Sequence, residues 1–305
     1  MNKLVVLGSV NADHVLQVPS FPRPGETLHG RNYQVIAGGK GANQAVAAAR
    51  LNADIGFIAC VGDDSFGINI RENFRMDGID ITAVKMEPNC PTGIAMIQVS
   101  DSGENSICLS AEANAKLTAA AIEPDLERIR QADYLLMQLE TPLCGIEKAA
   151  QVAKDANTVV ILNPAPARVL SDELLACVDM ITPNETEAEV LTGITVTDAE
   201  SAQQAANILH DKGIKTVMIT LGAKGVWLSQ DGRGDIIAGF NVEVTDTTAA
   251  GDTFNGAFVT GLLEDLSLES AIKFAHAAAA ISVTRFGAQT SIPTRKEVDD
   301  FLAQQ

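Results

Sequence analysis

Short, almost wholly apolar runs alternate with segments of helical periodicity along this chain, and that alternation limits the fold more than any other feature. Residues 3–10, 54–61, 134–139, 158–162 and 216–221 are short and apolar enough to be strands buried on both faces. Residues 42–51, 145–156, 185–191, 199–212 and 253–263 carry the apolar spacing of helices. Strand, helix and strand in repetition predict βαβ units: an α/β fold of three layers, with a mainly parallel central sheet flanked by helices. The chain of 305 residues has no internal repeat, low-complexity tract or interdomain linker, so one α/β domain over 1–305 is expected. With 46% hydrophobic but only 4% aromatic residues, its core is built from Ala, Val, Ile and Leu, which suits helices packed on a parallel sheet.

Two stretches break the alternation. Residues 14–36 contain Pro19, Pro22, Pro24 and Gly25, and residues 91–110 contain Asp101-Ser102-Gly103 between two extended segments, a hairpin signal. Neither has room for a long helix. Together they predict a small antiparallel sheet projecting from the main domain, either a lid or dimer surface beside a cleft, or two ordinary surface hairpins.

Charge and cysteine usage narrow the classes of function. A formal net charge of -17 repels nucleic acid and anionic lipid, so neither is an expected partner. The same charge repels ATP at long range, so a nucleotide site here needs local positive potential from Lys, metal ions or helix N-termini. The five cysteines, at 60, 90, 108, 144 and 177, have no CxxC spacing, and the four His are scattered. Isolated buried thiols in a reducing cytoplasm are the simplest account. Asn11 and Asp13 end the first apolar run too early for a signal-peptide core, and no stretch is long and apolar enough to span a membrane. A cytoplasmic protein is expected.

Polar clusters follow several of the strands: Asn11-Ala-Asp13, Glu140, Asn163-Pro-Ala-Pro, Pro183-Asn184-Glu185 and Gly222-Ala-Lys-Gly225. In open α/β sheets ligands bind beyond the carboxyl ends of the strands, where these clusters fall. The strongest local signal is Asp246-Thr-Thr-Ala-Ala-Gly-Asp252, small residues running straight into an apolar helix. The backbone N–H groups of Ala249, Ala250 and Gly251 at that helix start suit an anion such as a transferring phosphoryl group. Asp252 beside it is either the base that takes a proton from an attacking hydroxyl or a helix cap.

Weaker signals accompany it. Gly38-Gly39-Lys40-Gly41-Ala42-Asn43 is a glycine-rich turn, without the spacing or the Ser/Thr of a Walker A loop. Its Lys40 and Asn43 offer donors to a hydroxylated ligand, or the stretch is a plain turn with a solvated Lys. Asn184-Glu-Thr-Glu187 is either a water-mediated Mg²⁺ site or a capping segment. Residues Thr220, Leu221, Gly222, Ala223, Lys224 and Gly225 form a turn between two strands, holding nucleotide phosphate or merely closing a hairpin. His276 stands in an Ala-rich helix, where packing is as good an account as ligand contact. Asn11 and Asp13 suit sugar hydroxyls, or form a turn.

In this order the motifs resemble the ribokinase/PfkB family of carbohydrate kinases: Gly38–Asn43 is similar to its N-terminal signature and Asp246–Asp252 to its C-terminal one, with Asn-x-x-Glu between them. The resemblance covers essentially the whole chain. Most members have Gly-Ala-Gly-Asp in the second signature; Ala249 replaces the first Gly here, as the ribokinase branch tolerates. The Asn11-Ala-Asp13 pair also resembles that branch more than the wider family.

The resemblance implies ATP-dependent phosphorylation of D-ribose at its 5-hydroxyl. Asp252 is then the general base, with Ala249, Ala250 and Gly251 as the anion pocket. Asn11, Asp13, Gly39, Lys40, Asn43, Glu140 and Asp252 bind sugar. Asn184, residues 220–225, Gly251 and His276 contact ATP, and Glu187 organises Mg²⁺ through water. An activating K⁺ falls to Asp246, Thr248, Ser282, Arg285, Gly287 and Ser291, several through backbone carbonyls. The resemblance further implies a β-lid and a homodimer formed through it. Alternatives are a kinase for another small sugar such as deoxyribose, or a non-catalytic sugar sensor on the same fold. A dehydrogenase is disfavoured because G-x-G-x-x-G is missing after the first strand.

Overall fold

The computed structural model describes residues 3–305. In chain order the strands are β1 (Leu4–Leu7), β2 (Asn11–Val18), β3 (Arg31–Gly38), β4 (Ile55–Gly62), β5 (Val84–Glu87), β6 (Gly93–Ser100), β7 (Asn105–Ser110), β8 (Tyr134–Met137), β9 (Val159–Leu162), β10 (Met180–Ile181), β11 (Thr216–Thr220), β12 (Val226–Gln230) and β13 (Arg233–Ile237). Nine of them form the central sheet in the order β13-β12-β11-β10-β9-β8-β1-β4-β5. All its pairs are parallel except the β11–β12 and β12–β13 hairpins at one edge.

The apolar runs become strands because each buries both faces. In β1, Leu4 and Val6 join the core on one side of the sheet while Val5 and Leu7 join the core on the other. The helices Lys40–Arg50, Ala250–Leu263 and Leu268–Val283 cover the first side, and Leu143–Ala156 and Ala199–Asp211 the second. The expected helices all form, with ends displaced by at most three residues. The helices Ser65–Met76 and Arg295–Leu302, outside the expected set, complete the layers.

The chain leaves β1 toward β4 on one side and later returns to β8 on the other, so the strand order reverses at β1. Such a reversal opens a crevice at the carboxyl edge. Two glycines let a helix start reach that crevice. A Cβ on Gly41 would lie 2.5 Å from the Gly8 carbonyl carbon, and one on Gly8 would lie 2.6 Å from the Gly41 Cα. The Lys40–Arg50 helix therefore begins directly on the end of β1.

The second sheet, in the order β3-β2-β6-β7, spans Asn11–Gly38 and Gly93–Ser110, a few residues more than expected at the first stretch. It is not wholly antiparallel. The β2–β3 and β6–β7 hairpins are antiparallel, but β2 and β6 pair in parallel because both hairpins leave the main body through their first strands. The thiols also depart from expectation. Cys60 and Cys177 are buried, Cys90 is half-buried, and Cys108 and Cys144 are exposed. Cys108 lies on β7, an edge strand of the small sheet whose six residues are all exposed. Among the described residues no helix is long and apolar enough to cross a membrane.

Candidate active site

The polar groups of the crevice come from the loops after β1, β8, β9, β10 and β11 and from the starts of two helices. Ser9, just after β1, donates its hydroxyl to Glu140 Oε2 at 2.5 Å, and the Lys40 N–H donates to the same oxygen at 3.1 Å. Glu140 thus bridges the strand reversal and fixes the first turn of the Lys40–Arg50 helix. Gly39, in the left-handed region at φ 91, makes the bend that aims this helix into the crevice.

Asn11 and Asp13 are not turn formers. They open β2 and pair with Gly38 and Ile36 of β3. Asn11 Oδ1 accepts from Asn114 Nδ2 at 2.8 Å, and Asn114 is itself locked to both backbone groups of Val10. Asp13 is 7% exposed, and its Oδ1 has no protein partner. A Cβ on Gly38 would lie 1.9 Å from Asp13 Oδ2, so the glycine makes room for the carboxylate. Burial, reinforced by the charges of Glu140 and Asp252, pushes the Asp13 pKa up to about 7. Lys40 is half-buried at the helix start. The charge of Asp252 raises its pKa against the opposing effect of burial, with Glu140 and Glu187 adding to the rise.

Asp252 lies in the first turn of the Ala250–Leu263 helix and is 6% exposed. It does not cap that helix, whose N-cap is Ala249 with no side-chain hydrogen bond. Its carboxylate turns instead to the Lys40–Arg50 helix, accepting from Asn43 Nδ2 at 3.0 Å on Oδ2 and from Gln44 Nε2 at 2.9 Å on Oδ1. Asn43 Oδ1 is buried and without a protein partner.

Ala249 is left-handed, at φ 58, a conformation that glycine adopts more readily than alanine. The Ala250 N–H makes a long bond to Thr247 O at 3.2 Å, so it closes the turn as well as facing the helix start. A Cβ on Gly251 would meet nothing within 4 Å, leaving its backbone open to the crevice.

A cavity of about 330 Å³ runs from Gly251 to the β11–β12 turn. Thr220, Gly222, Ala223 and Gly225 line it, whereas Leu221 belongs to the core and Lys224 is exposed. The turn therefore closes a hairpin and also walls the cavity. His276 lines it too, its ring tilted against Phe254 with centroids 5.4 Å apart. Burial lowers the His276 pKa, so the ring is neutral near pH 7. The sequence reading did not find the opposite wall, which includes Phe240, Asn241, Val242, Val244 and Val283.

Asn184 and Glu187 form a reciprocal capping box, with bonds of 2.8 and 2.9 Å. That does not remove Glu187 from the site. Burial raises its pKa, the Asn184 bond and Lys40 lower it, and Asp252 adds to the rise, so it lies within electrostatic reach of both charged groups. Asp246 ties its loop to the segment beyond the Leu268–Val283 helix. Its Oδ1 accepts from the Thr248 N–H and hydroxyl at 2.9 and 2.7 Å, and its Oδ2 from Gly287 N–H at 2.9 Å. Burial works to raise the Asp246 pKa, but these bonds outweigh it and hold the group below the ordinary range.

The hydroxyls of Ser282 and Ser291 donate to nearby carbonyls, and the Arg285 side chain turns to Glu297 at 2.6 Å. Arg285 therefore has only a carbonyl to offer an ion. Among the described residues no three His, Cys, Asp or Glu side chains converge as a metal cluster. The donors these residues offer are oxygens, the type a hard cation takes.

The pfkB carbohydrate kinase family profile matches residues 1–295, and the chain belongs to that family of carbohydrate kinases. Among its relatives, a ribokinase of Haemophilus influenzae is 60% identical over 98% of both chains. A Staphylococcus aureus ribokinase is 43% identical over 98% of this chain and 99% of its own. A Salmonella typhimurium deoxyribokinase is 37% identical over 98% of both. The structure of Arabidopsis thaliana ribokinase complexed with ribose and ATP superposes with a TM-score of 0.93 at 36% identity, covering 99% of this chain and 98% of that one.

Proposed function

We infer that this protein transfers the γ-phosphoryl group of ATP to the 5-hydroxyl of D-ribose, giving ribose 5-phosphate and ADP. The observation that carries the reading is the position of Asp252. A buried carboxylate stands at a helix start, with an open cavity along the Gly251 side and the unpartnered oxygens of Asp13 and Asn43 belonging to the same polar cluster. The high identity to ribokinases and the likeness to a ribokinase holding ribose and ATP support the choice of sugar.

Ribose lies over β2 and the Lys40–Arg50 helix. Asp13 and Asn43 accept its hydroxyls, Lys40 donates, and Asn11, Gly39 and Glu140 complete the wall. ATP lies along the cavity, with Asn184, the β11–β12 turn, Gly251 and His276 against it. Asp252 takes the proton of the 5-hydroxyl as that oxygen attacks phosphorus, and the N-terminal amides of its helix face the charge that develops. Glu187, with a carboxylate facing Lys40 and Asp252, would hold Mg²⁺ through water; that ion supplies charge neutralisation to the phosphates. Asp246, Thr248, Ser282, Arg285, Gly287 and Ser291 would hold K⁺ and steady the loop leading into the anion pocket.

The small sheet acts as the lid and as the contact of a homodimer within a single α/β domain over 1–305. Exposed apolar residues stand on both of its faces, Tyr33, Val35 and Met96 on one and Ile107 and Leu109 on the face that carries Asp13, which suits a sheet covered on both sides. Five free thiols, two of them exposed, support a reducing, cytoplasmic setting.

The test is kcat/KM with ATP and Mg²⁺ across ribose, deoxyribose, glucose, fructose 6-phosphate and adenosine. Ribose should lead, and a lead for adenosine or fructose 6-phosphate refutes the sugar assignment while leaving the family intact.

A further inference from the structure

We propose that Gln44 is a positioning residue for the Asp252 carboxylate, and that Asn163 fixes which end of the Gln44 amide faces it while Gln138 backs the other end. The inference rests on the reading of Asp252 as the base and adds to it how that base is held.

Gln44 is fully buried, so it acts on a ligand only through its neighbours. Its Nε2 donates to Asp252 Oδ1 at 2.9 Å and to Asn163 Oδ1 at 3.1 Å, while its Oε1 accepts from Gln138 Nε2 at 2.6 Å. Both amide hydrogens are thus used, and the oxygen is used as well. Asn163 cannot turn to accommodate a reversed Gln44, because its own Nδ2 is donated to Thr182 O at 3.1 Å. Reversing the Gln44 amide would set its oxygen against the oxygens of Asp252 and Asn163, whereas Gln138, whose Oε1 has no partner, could turn to match either orientation. Two matched contacts between buried groups would become two mismatched ones, so one orientation is strongly favoured.

Gln138 backs the Gln44 amide from the β1 side. A Cβ on Gly8 would lie 2.1 Å from Gln138 Oε1, so glycine at the end of β1 leaves space for the Gln138 amide. Gln138 is 1% exposed, a polar side chain just beyond an apolar strand. Asn43 holds the other oxygen of Asp252 at 3.0 Å. The carboxylate is therefore gripped at both oxygens from consecutive residues of one helix, while Lys40, Asp13 and Glu187 are the charges that face it. Each oxygen keeps lone-pair capacity for a proton, and the group loses its freedom to rotate. A base fixed in this way stays aligned with the attacking hydroxyl.

The test substitutes Gln44→Met, which keeps length and removes the donors. We expect kcat to fall about 10- to 100-fold with ribose and ATP dissociation constants within about threefold. In an Asp252→Asn background the same substitution should change kcat by less than about twofold, because the group it acts through is gone. Gln138→Met should lower kcat less, by about 3- to 10-fold, and Gln44→Glu more than Gln44→Met, since it turns acceptors on a carboxylate. A Gln44→Met enzyme with kcat within twofold of the parent overturns the proposal. So does an equal fall in both backgrounds, which marks a merely structural residue. If Gln44→Met does not fold, Gln138→Met and its double with Asp252→Asn decide by the same non-additivity. A dead Asp252→Asn with a normal Gln44→Met sinks this inference alone, whereas a near-normal Asp252→Asn sinks the base reading as well.

Discussion

The two ends of the crevice are built differently. At the end next to β1, side chains from β2, the Lys40–Arg50 helix and the Ala250–Leu263 helix interlock through buried hydrogen bonds, and only a few atoms, such as Asp13 Oδ1 and Asn43 Oδ1, are left without partners. At the end next to β11 the cavity is walled mainly by small and apolar residues, with a neutral His276 and glycine-rich turns. A rigid polar cluster discriminates among small hydroxylated molecules, because a missing partner leaves a buried group unpaired. An apolar trough beside a helix start accepts a flat base and a phosphate tail with less demand on each side chain. In the function we propose, chemistry and choice of sugar fall to one end and attachment of the phosphoryl donor to the other.

The largest expected effect breaks or keeps this contrast outright. Asp252→Asn should lower kcat about 10²–10⁴-fold, with both ligands bound almost as before, since the amide keeps the shape but takes no proton. Dissociation constants measured beside kcat check it, and near-normal turnover would leave the polar end without its chemistry.

Asp13→Asn comes next. It should reduce kcat/KM for ribose about 10- to 100-fold while the KM for ATP stays within about twofold, because only the sugar end has lost a charged acceptor. The pH dependence sharpens the point. The Asp13 pKa is raised from 3.8 to about 7 in the folded protein, so its contribution to stability is complete at low pH and is lost as pH rises through about 7. Ribose, which favours the ionised form, should bind more tightly across that interval and release a proton. Calorimetric titration in buffers of different ionisation enthalpy reads this directly, and the asparagine variant should show no such release.

A smaller effect concerns the loop joining the two ends. With K⁺ replaced by Na⁺ or Tris, turnover should fall about 5-fold or more while ribose affinity holds, because Asp246 and Gly287 order the anion pocket and not the sugar cluster. Equal rates in all three salts remove the ion from the account.

The smallest is Ala249→Gly. It should relieve a left-handed alanine for a net stabilisation of about 1 kcal/mol or less, glycine's own entropy cost offsetting part of the relief, with kcat unchanged within about twofold. Thermal unfolding measures it, and a lower melting temperature would show that the alanine methyl is needed.

The layers of the fold were legible because residues 4–7, 55–61 and 159–162 are apolar on both faces, which few structures other than a covered parallel sheet can satisfy. The parallel pairing of β2 with β6 was not, since hairpin signals are local and the contact joins residues about eighty positions apart. In the site, Asp252, Asn43 and Asp13 were readable as polar residues in small-residue or strand-end settings. Gln44 and Gln138 were passed over, although Gln138 is an amide between the apolar Met137 and Leu139, a pattern that signals a partner deep in the fold. The wall from Phe240 to Val244 carries no motif, and its role comes from where the chain passes. Asn184 and Glu187 show that a capping box and an electrostatic role can share the same atoms, so local sequence alone cannot separate the two.

Nuclear magnetic resonance of the reaction product is the most direct measurement of the central claim. With ATP, Mg²⁺ and ribose, the account predicts a single new phosphomonoester whose phosphorus couples to the C5 protons of ribose, appearing with ADP in equal amounts and only when sugar is present. Phosphate on another ribose oxygen, or ADP formed at the same rate without sugar, would contradict it.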